Sequence, residues 1–247
     1  GRLFFPDTLA LQEIALRDAV ASKVAIGSPT WRLEEIRCDS EGSQARVETP
    51  YGAGVLRLQL VGSYQLSNAL LALAVALHLG SPLEGALEAL SELEPPALRG
   101  QRRALQGGGG GLLWLDCYNA NPQSTLASTL AFWESGARGP LILGSMAELG
   151  EEAAELHEKL ATSLAAKGRE RGALFALGPY RASLARAFQR GGGEAFTSAE
   201  PSGSAAELEE VAEWLSSTLR RGDSVFVKGS RGGRLERLDQ MLQRRDL

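Results

Sequence analysis

Apolar and polar residues alternate in the first part of the chain. The runs Ala45–Glu48 and Val55–Leu60 show this alternation most clearly and predict two half-buried strands. The segment Pro50-Tyr51-Gly52 between them predicts a tight turn, so the two runs are expected to form a hairpin. A further strand is predicted at Lys23–Gly27, and a capped helix over Pro6–Val20.

Helical periodicity follows the hairpin. It predicts one helix over Ser67–Leu79, which Gly80 ends, and a second over Pro82–Leu93, which the pair Pro95-Pro96 ends. The apolar stretch Ala69–Leu79 is too short to cross a bilayer, which takes about 20 residues, so a buried helix is expected there.

Short apolar runs alternate with helical patterns from residue 112 onward. The predicted strands are Leu112–Leu115, Leu141–Leu143, Ala173–Leu177, Glu194–Thr197 and Ser224–Val227. The predicted helices are Pro122–Trp133, Glu151–Lys167, Tyr180–Gln189, Ala205–Leu219 and Arg231–Gln243. This order is typical of βαβ units and predicts a doubly wound, Rossmann-like α/β domain with a mainly parallel sheet.

Two breaker segments separate these patterns, namely Pro95-Pro96 and the glycine run Gly107–Gly111. We place the domain boundary there, with domains at residues 1–98 and 99–247. The glycine run lacks a following Lys-Ser/Thr and precedes a strand, so a flexible connection is expected. No GxxxxGK[ST] phosphate-binding motif occurs in the sequence.

Composition narrows the class of protein. The 247 residues are 44% hydrophobic and 23% charged, which suffices for a sizeable core. The net charge of −4 gives no basic surplus, so nucleic-acid binding is not expected. Cys38 and Cys117 form no CxxC pair, which predicts reduced thiols in a cytoplasmic protein. No signal peptide or membrane span is expected, and a first residue other than Met suggests a start inside a longer protein.

Polar residues follow the first strand of the α/β pattern. Asp116 ends this strand, and Asn121-Pro122 begins the next helix. A carboxylate at this position can accept hydrogen bonds from ribose hydroxyls, while Asn119 and the free amides of the helix start can hold a polar substrate. Alternatively, Asp116 and Asn119 satisfy only turn and cap donors. The residues alone leave these two interpretations open.

Two further segments follow strands. Gly144–Gly150 is by its residues alone an ordinary loop, and His157 in the next helix is by itself more typical of a boundary position than of a catalyst. Val225–Arg234 runs from a strand into a glycine-rich turn that carries Lys228 and Arg231. This context favours a carboxylate or phosphate site over a merely solvated basic turn.

Together, in this order, the segments resemble the Mur ligases, and most closely the MurF branch of that family. Asp116–Ser124 is similar to its D-x-Y-N-A-N-P-x-S segment, and Gly144–Gly150 to L-G-D-M-x-E-L-G, with His157 following at a similar spacing. Val227–Arg231 resembles V-K-G-S-R, and Gly62–Asn68 resembles the G-x-H-N-x-x-N motif that closes the central ATPase domain.

The resemblance implies roles for individual residues. ATP-binding roles fall on Asn68 near the adenine, Arg99 near the domain junction and Asp116 at the ribose hydroxyls. Substrate-binding roles, around the dipeptide, its carboxylate and the acyl-phosphate, fall on Asn119, Asn121, Ser124, His157, Lys228, Ser230 and Arg231. No catalytic or metal-binding residue is implied within this chain.

The sequence departs from the family pattern at three places. Tyr64-Gln65 stands for His-Asn, Leu98 for Gly and Ser145 for Asp. The family's phosphate-binding loop, its magnesium ligands, its carbamylated Lys and its UDP-substrate domain are all expected upstream of Gly1. The chain is therefore expected to hold the end of the central domain and the whole C-terminal domain, with ATP and Mg²⁺ as cofactors and the missing regions as partners.

The implied activity is ATP-dependent amide synthesis through an acyl-phosphate, which adds D-Ala-D-Ala to UDP-MurNAc-tripeptide in peptidoglycan synthesis. We expect residues 1–247 alone to be inactive. One alternative is a non-catalytic Mur-like binding module. The argument against this alternative is that the chain retains the polar residues Asp116, Asn119, Lys228 and Arg231. Another is a ligase like folylpolyglutamate synthase, which the Tyr-Asn-Ala-Asn-Pro segment does not match.

Overall fold

The structure, a computed structural model, describes residues 2–6, 22–26, 30–105, 110–200 and 202–245. The chain divides into two compact units, Gly1–Glu94 and Pro95–Leu247. Most of the helix predicted over Pro6–Val20 lies outside the described residues. The boundary predicted between residues 98 and 99 falls slightly after this division, and the assignment of the two parts to central and C-terminal domains stays a prediction.

The first unit contains two small sheets and two helices. Strands β1 (Arg2–Pro6) and β2 (Ser22–Ile26) pair in parallel. Three antiparallel strands form the second sheet: β3 (Arg32–Cys38), β4 (Ser43–Thr49) and β5 (Gly52–Leu58). The helices are α1 (Ser63–His78) and α2 (Leu83–Ser91). The predicted hairpin is confirmed as β4 and β5.

The alternation that predicted the hairpin also forms the core of this unit. Val47 and Leu56 are fully buried and belong to the same apolar cluster as Leu66 and Leu73 of α1. Helix α1 begins at Ser63, one turn earlier than predicted, because Gly62 with a φ of 115° precedes it and the first turn is polar.

The second unit is a doubly wound α/β domain. Its strands are β6 (Gln101–Ala104), β7 (Leu112–Asp116), β8 (Leu141–Leu143), β9 (Leu174–Ala176), β10 (Ala195–Thr197) and β11 (Val225–Lys228). They form one sheet in the order β10-β9-β8-β11-β7-β6, in which only β6 is antiparallel to its neighbour. Its helices are α3 (Pro122–Glu134), α4 (Ala153–Gly168), α5 (Arg181–Arg190), α6 (Ala205–Thr218) and α7 (Arg237–Gln243).

Helices cover both faces of this sheet. On one face, Leu115 of β7 and Val227 of β11 share a cluster with α6 and α7, represented by Val211 and Leu238. On the other face, the alternate residues Trp114 and Phe226 both pack against Phe132 of α3, with ring centroids 5.5 and 5.4 Å away. The predicted fold class is therefore confirmed, with both sheet faces buried as a parallel sheet requires.

Two details of the second unit differ from the prediction. Strand β6 was not predicted, because it lies at the sheet edge, where Arg103 is exposed and no apolar alternation marks it. The last helix begins at Arg237 rather than Arg231. A 3₁₀ turn over Arg231–Gly233 and a left-handed Arg234, with a φ of 48°, precede it. None of the described helices is long and apolar enough to span a membrane.

Candidate functional site

The ends of β7 and β11 bring two predicted site residues together. Asp116 and Lys228 are paired in register as the last residues of these strands. The Lys228 Nζ donates to Asp116 Oδ2 at 2.7 Å, to the Asn119 carbonyl at 3.0 Å and to the Asp116 carbonyl at 3.3 Å. An ammonium group has three donors, so all are used, and Lys228 fixes the segment from Asp116 to Asn119.

Burial distinguishes this ion pair from the other charge pairs. The Lys228 side chain is 3% exposed and that of Asp116 is 13% exposed. The hydrogen bond from Lys228 uses only Asp116 Oδ2. No other described residue donates a hydrogen bond to Asp116 Oδ1. One carboxylate oxygen at the edge of the sheet is therefore available to an incoming hydroxyl group.

The residues after Asn119 form the start of α3. Asn119 Oδ1 accepts from the Ala120 amide at 2.8 Å. Asn121 Oδ1 accepts from the Ser124 amide at 2.7 Å, and Ser124 Oγ accepts from the Asn121 amide at 3.2 Å. This reciprocal pair is a capping box, with Pro122 at the first helical position. Asn121 and Ser124 thus have a local structural role, and substrate contact by either stays a prediction.

His157 lies beneath the loop that follows β8. Its ring is fully buried; Nε2 accepts from the Met146 amide at 2.8 Å, and Nδ1 donates to the Ala153 carbonyl at 2.6 Å. The ring also stacks on Tyr180, with centroids 4.6 Å apart. Burial lowers the pKa of His157, which favours the neutral ring that these bonds require. Because both nitrogens are occupied, His157 positions the loop.

Four more hydrogen bonds hold the same loop. Ser230 Oγ accepts from the Ala147 amide at 2.9 Å, and the Gly144 amide donates to the Lys228 carbonyl at 2.7 Å. Ser145, where the family pattern has Asp, accepts from the Tyr180 amide at 2.9 Å and donates to the Leu177 carbonyl at 3.1 Å. The loop is therefore tied to the ends of β9 and β11.

A cavity of about 410 Å³ opens between this loop and the loops after β9 and β10. Glu207 lies in its wall and is 2% exposed. The Glu207 carboxylate accepts from the Gly178 amide at 3.0 Å and from the Gly203 amide at 2.7 Å, joining two walls of the cavity. Ser204 Oγ accepts from the Glu207 amide at 3.0 Å and so caps α6. The tertiary role of the Glu207 side chain was not predicted, because a local capping pattern does not indicate it.

Arg99 and Arg231 meet at Tyr118, a residue for which the sequence predicted no role. The guanidinium carbon of Arg99 lies 4.1 Å from the centre of the Tyr118 ring, and that of Arg231 lies 5.4 Å from it. The Tyr118 amide also donates to the Leu98 carbonyl at 3.1 Å. Leu98, where the family pattern has Gly, adopts a φ of 60°, the left-handed region that favours glycine.

Cys117 lies next to this site without reactive chemistry of its own. Burial, with the nearby carboxylates of Glu236 and Asp116, raises the pKa of its thiol to about 12. A protonated, fully buried thiol is a poor nucleophile. In the part of the chain that the structure describes, no group of three or more His, Cys, Asp or Glu residues could hold a metal ion.

Asn68 belongs to the first unit, on the exposed side of α1. Its Nδ2 donates to Gln65 Oε1 at 3.4 Å, and Gln65 Nε2 donates to the Tyr64 hydroxyl at 3.0 Å. The two residues that replace His-Asn of the family motif thus form a hydrogen-bonded chain with Asn68. Its role toward ATP stays a prediction.

The fold and the site define a class of protein. A doubly wound sheet that gathers Asp116, Lys228 and Arg231 beyond its strand ends is an α/β ligand-binding domain of the kind that receives its ligand at that edge. Residues 99–231 match the family model described as "Mur ligase, glutamate ligase domain", which is more than half of the chain. The chain belongs to the Mur ligase family.

Individual relatives agree with this assignment. The UDP-N-acetylmuramoyl-tripeptide–D-alanyl-D-alanine ligase of Treponema pallidum (strain Nichols) is 34% identical over 190 residues, which are 76% of this chain and 39% of that protein. The crystal structure of MurF from Acinetobacter baumannii is similar with a TM-score of 0.81 at 23% identity, over 99% of this chain and 52% of that one.

A MurF ligase from Thermotoga maritima, solved in complex with ADP, has a TM-score of 0.77 at 20% identity, over 98% of this chain and 53% of that one. At these identities the two solved structures support the fold. The chain spans about half, or less, of the length of these relatives.

Proposed function

We propose that this chain is the C-terminal part of a MurF-type ligase. Such a ligase uses ATP to join D-Ala-D-Ala to UDP-MurNAc-tripeptide in the cytoplasm. The observation that carries the proposal is the convergence of Asp116, Asn119 and Lys228 at one point of the sheet edge. The 34% identity to the Treponema ligase supports the choice of reaction.

Asp116 suits the sugar of a nucleotide. Its Oδ2 is held by Lys228, whereas Oδ1 accepts no hydrogen bond from the described residues and can accept one from a ribose hydroxyl. The hydrogen bond from Lys228 Nζ holds the carboxylate in one orientation. Arg99 and Arg231 form no ion pair with any described carboxylate, so both guanidiniums remain available to a phosphate or carboxylate.

ATP, when bound, supplies the phosphoryl group that activates the tripeptide carboxylate. Magnesium ligands and the family's phosphate-binding loop are expected from the N-terminal part of the enzyme. Asp116 and the two arginines of this chain suit the sugar and negatively charged groups. What this chain contributes is positioning, because holding two reactants in register is itself a large part of such catalysis.

The cavity beside the ion pair is the proposed place of the dipeptide. Its volume of about 410 Å³ lies in the usual range of small-molecule sites. Ser230 lines it, and the Ser230 hydroxyl accepts from the amide of Ala147 in the loop that forms another wall. In this proposal Ser230 contacts the dipeptide, and His157 supports the wall through its bond to the Met146 amide. The residues Asn119, Asn121, Ser124 and Arg231 do not line this cavity, and their substrate contacts stay predictions.

The test uses the whole polypeptide in which these 247 residues occur. It is incubated with ATP, Mg²⁺, UDP-MurNAc-tripeptide and D-Ala-D-Ala, and the product is followed by mass spectrometry. We expect ligation that Asp116→Asn slows strongly, whereas the exposed control Glu209→Gln leaves it unchanged. Residues 1–247 alone are expected to be inactive. Absence of ligation by the whole polypeptide, with ATP and dipeptide still bound, would favour a non-catalytic module instead.

A further inference from the structure

Tyr118 contacts two cations that come from different parts of the second unit. Arg99 precedes β6, and Arg231 lies in the turn after β11, yet both guanidinium carbons lie within 5.4 Å of the centre of this one ring. Guanidinium groups at such distances are attracted to the ring face. The ring is therefore the element that these two side chains share.

The backbone strengthens the same connection. The Tyr118 amide donates to the Leu98 carbonyl at 3.1 Å, which ties the residue before Arg99 to this loop. The loop is in turn fixed by Lys228, which bonds to carbonyls on both sides of Tyr118, those of Asp116 and Asn119. Hydrogen bonds on both sides of Tyr118 therefore hold the backbone of the residue whose ring contacts the two arginines.

The charge balance around the ring points to an anion. The nearest carboxylate in sequence, Asp116, is already paired with Lys228 at 2.7 Å. Neither Arg99 nor Arg231 has an ion-pair partner among the described residues, and both are exposed. Two neighbouring cations repel each other, so an anion that bridges them gains from both.

We propose that Tyr118 is a positioning residue that holds Arg99 and Arg231 as one binding site for a phosphate-type dianion. Two guanidinium forks match the several oxygens and the double charge of such a group. The site rests on the proposed function only for the source of the anion, which there is the phosphate chain of a nucleotide. Tyr118 acts through the arginines and does not itself contact the anion.

The experiment uses the 247-residue chain and pyrophosphate as the probe. Tyr118→Leu removes the aromatic face, and Tyr118→Phe is the matched control that keeps it. We expect pyrophosphate to bind Tyr118→Leu about tenfold more weakly than wild type and Tyr118→Phe about equally well. In Arg99→Ala/Arg231→Ala, adding Tyr118→Leu should have no further effect, because the ring acts only through these residues.

Nuclear magnetic resonance provides a readout that does not depend on any ligand. The Nε–H signals of Arg99 and Arg231 are assigned from the variants Arg99→Lys and Arg231→Lys, each of which removes one signal. The ring current of residue 118 should shift both signals in wild type and in Tyr118→Phe. In Tyr118→Leu both should move to the position of an ordinary exposed arginine such as Arg186. Dispersed amide signals in each variant would show that the chain is folded, as expected for a side chain that is 41% exposed.

Several results would overturn the inference. Equal affinity of Tyr118→Leu and Tyr118→Phe for pyrophosphate would do so, as would arginine signals that the loss of the ring leaves in place. Arg186→Ala corrects for net charge, so an Arg231→Ala effect no larger than that of Arg186→Ala would exclude a shared site. Binding of D-Ala-D-Ala here in place of pyrophosphate would exclude the phosphate class. Failure of the ligation assay would leave these results unaffected.

Discussion

Lys228 and Asp116 end adjacent parallel strands and face each other in register, and their side chains form a 2.7 Å ion pair. Each also belongs to a separate turn, because β7 leads into the Tyr118 loop and β11 into the Ser230 turn. One contact thus joins the two turns that carry most of the predicted substrate residues. An ion pair in this place fixes geometry more than it adds stability.

Removing one partner of this pair is expected to be costly. Lys228→Met leaves the Asp116 carboxylate and two carbonyls without their donor, which should lower the free energy of unfolding by roughly 3 kcal/mol. Asp116→Asn/Lys228→Met should recover part of this loss. Urea denaturation measures both. The control is Lys159→Met, which breaks the exposed Glu155–Lys159 pair and should cost much less, because solvent screens that pair. Equal losses at the two sites would contradict the prediction.

His157 makes the stability of the second unit sensitive to acid. Its pKa in the folded chain lies below the ordinary value of 6.5, because the ring is buried. The unfolded chain therefore binds a proton more readily, so this contribution to stability is complete above pH 6.5 and is lost as the pH falls below it. We expect the free energy of unfolding to fall as the pH is lowered from about 7.5 to about 5.5.

The measurement compares wild type with His157→Gln in urea at several pH values. Glutamine can also accept from the Met146 amide and has no proton to gain, so its stability should vary less with pH over this range. A variant whose stability fell with acid as steeply as that of wild type would show that other groups cause the dependence.

The sequence predicted β7, β8, β9 and β11 well because each is a largely buried apolar run. It also placed Asp116 at the end of one strand and Lys228 just after another. Because the carboxyl ends of strands in one parallel sheet share an edge, the proximity of these two residues follows from the fold. Strand β6 was not predicted, because an edge strand with an exposed arginine shows no run of apolar residues.

The side-chain contacts between elements were beyond the sequence. Nothing in the spacing of Arg99, Tyr118 and Arg231 shows that two guanidiniums share one ring. Likewise, the helical position of His157 did not reveal that its ring is buried under a loop eleven residues earlier in the chain. Such contacts depend on loop conformations that hydrophobic periodicity does not encode.

Leu98 offers a test of the strain near Arg99. With a φ of 60°, this residue should be more stable as glycine than as alanine, the reverse of the usual order, by about 1 kcal/mol. Leu98→Gly and Leu98→Ala both lose the packing of the leucine side chain against the core. The difference in stability between the two variants therefore reports the backbone conformation. Thermal or urea unfolding gives the difference. At the helical control position Ala182, the glycine variant should instead be less stable than the alanine form. If glycine and alanine ranked in the same order of stability at both positions, Leu98 would not be under backbone strain.

Asn121 separates a structural role from a binding role. Its side chain accepts from the Ser124 amide at 2.7 Å, so Asn121→Ala should lower the free energy of unfolding by about 1 kcal/mol, whereas Asn121→Asp keeps the acceptor and should cost little. The same variants are titrated with pyrophosphate, whose affinity should be unchanged in Asn121→Ala because the cap lies outside the Tyr118 arginine pair. If Asn121→Ala were as stable as wild type but bound ligand less well, the side chain would be a ligand contact, and the capping box would contribute nothing measurable to the fold.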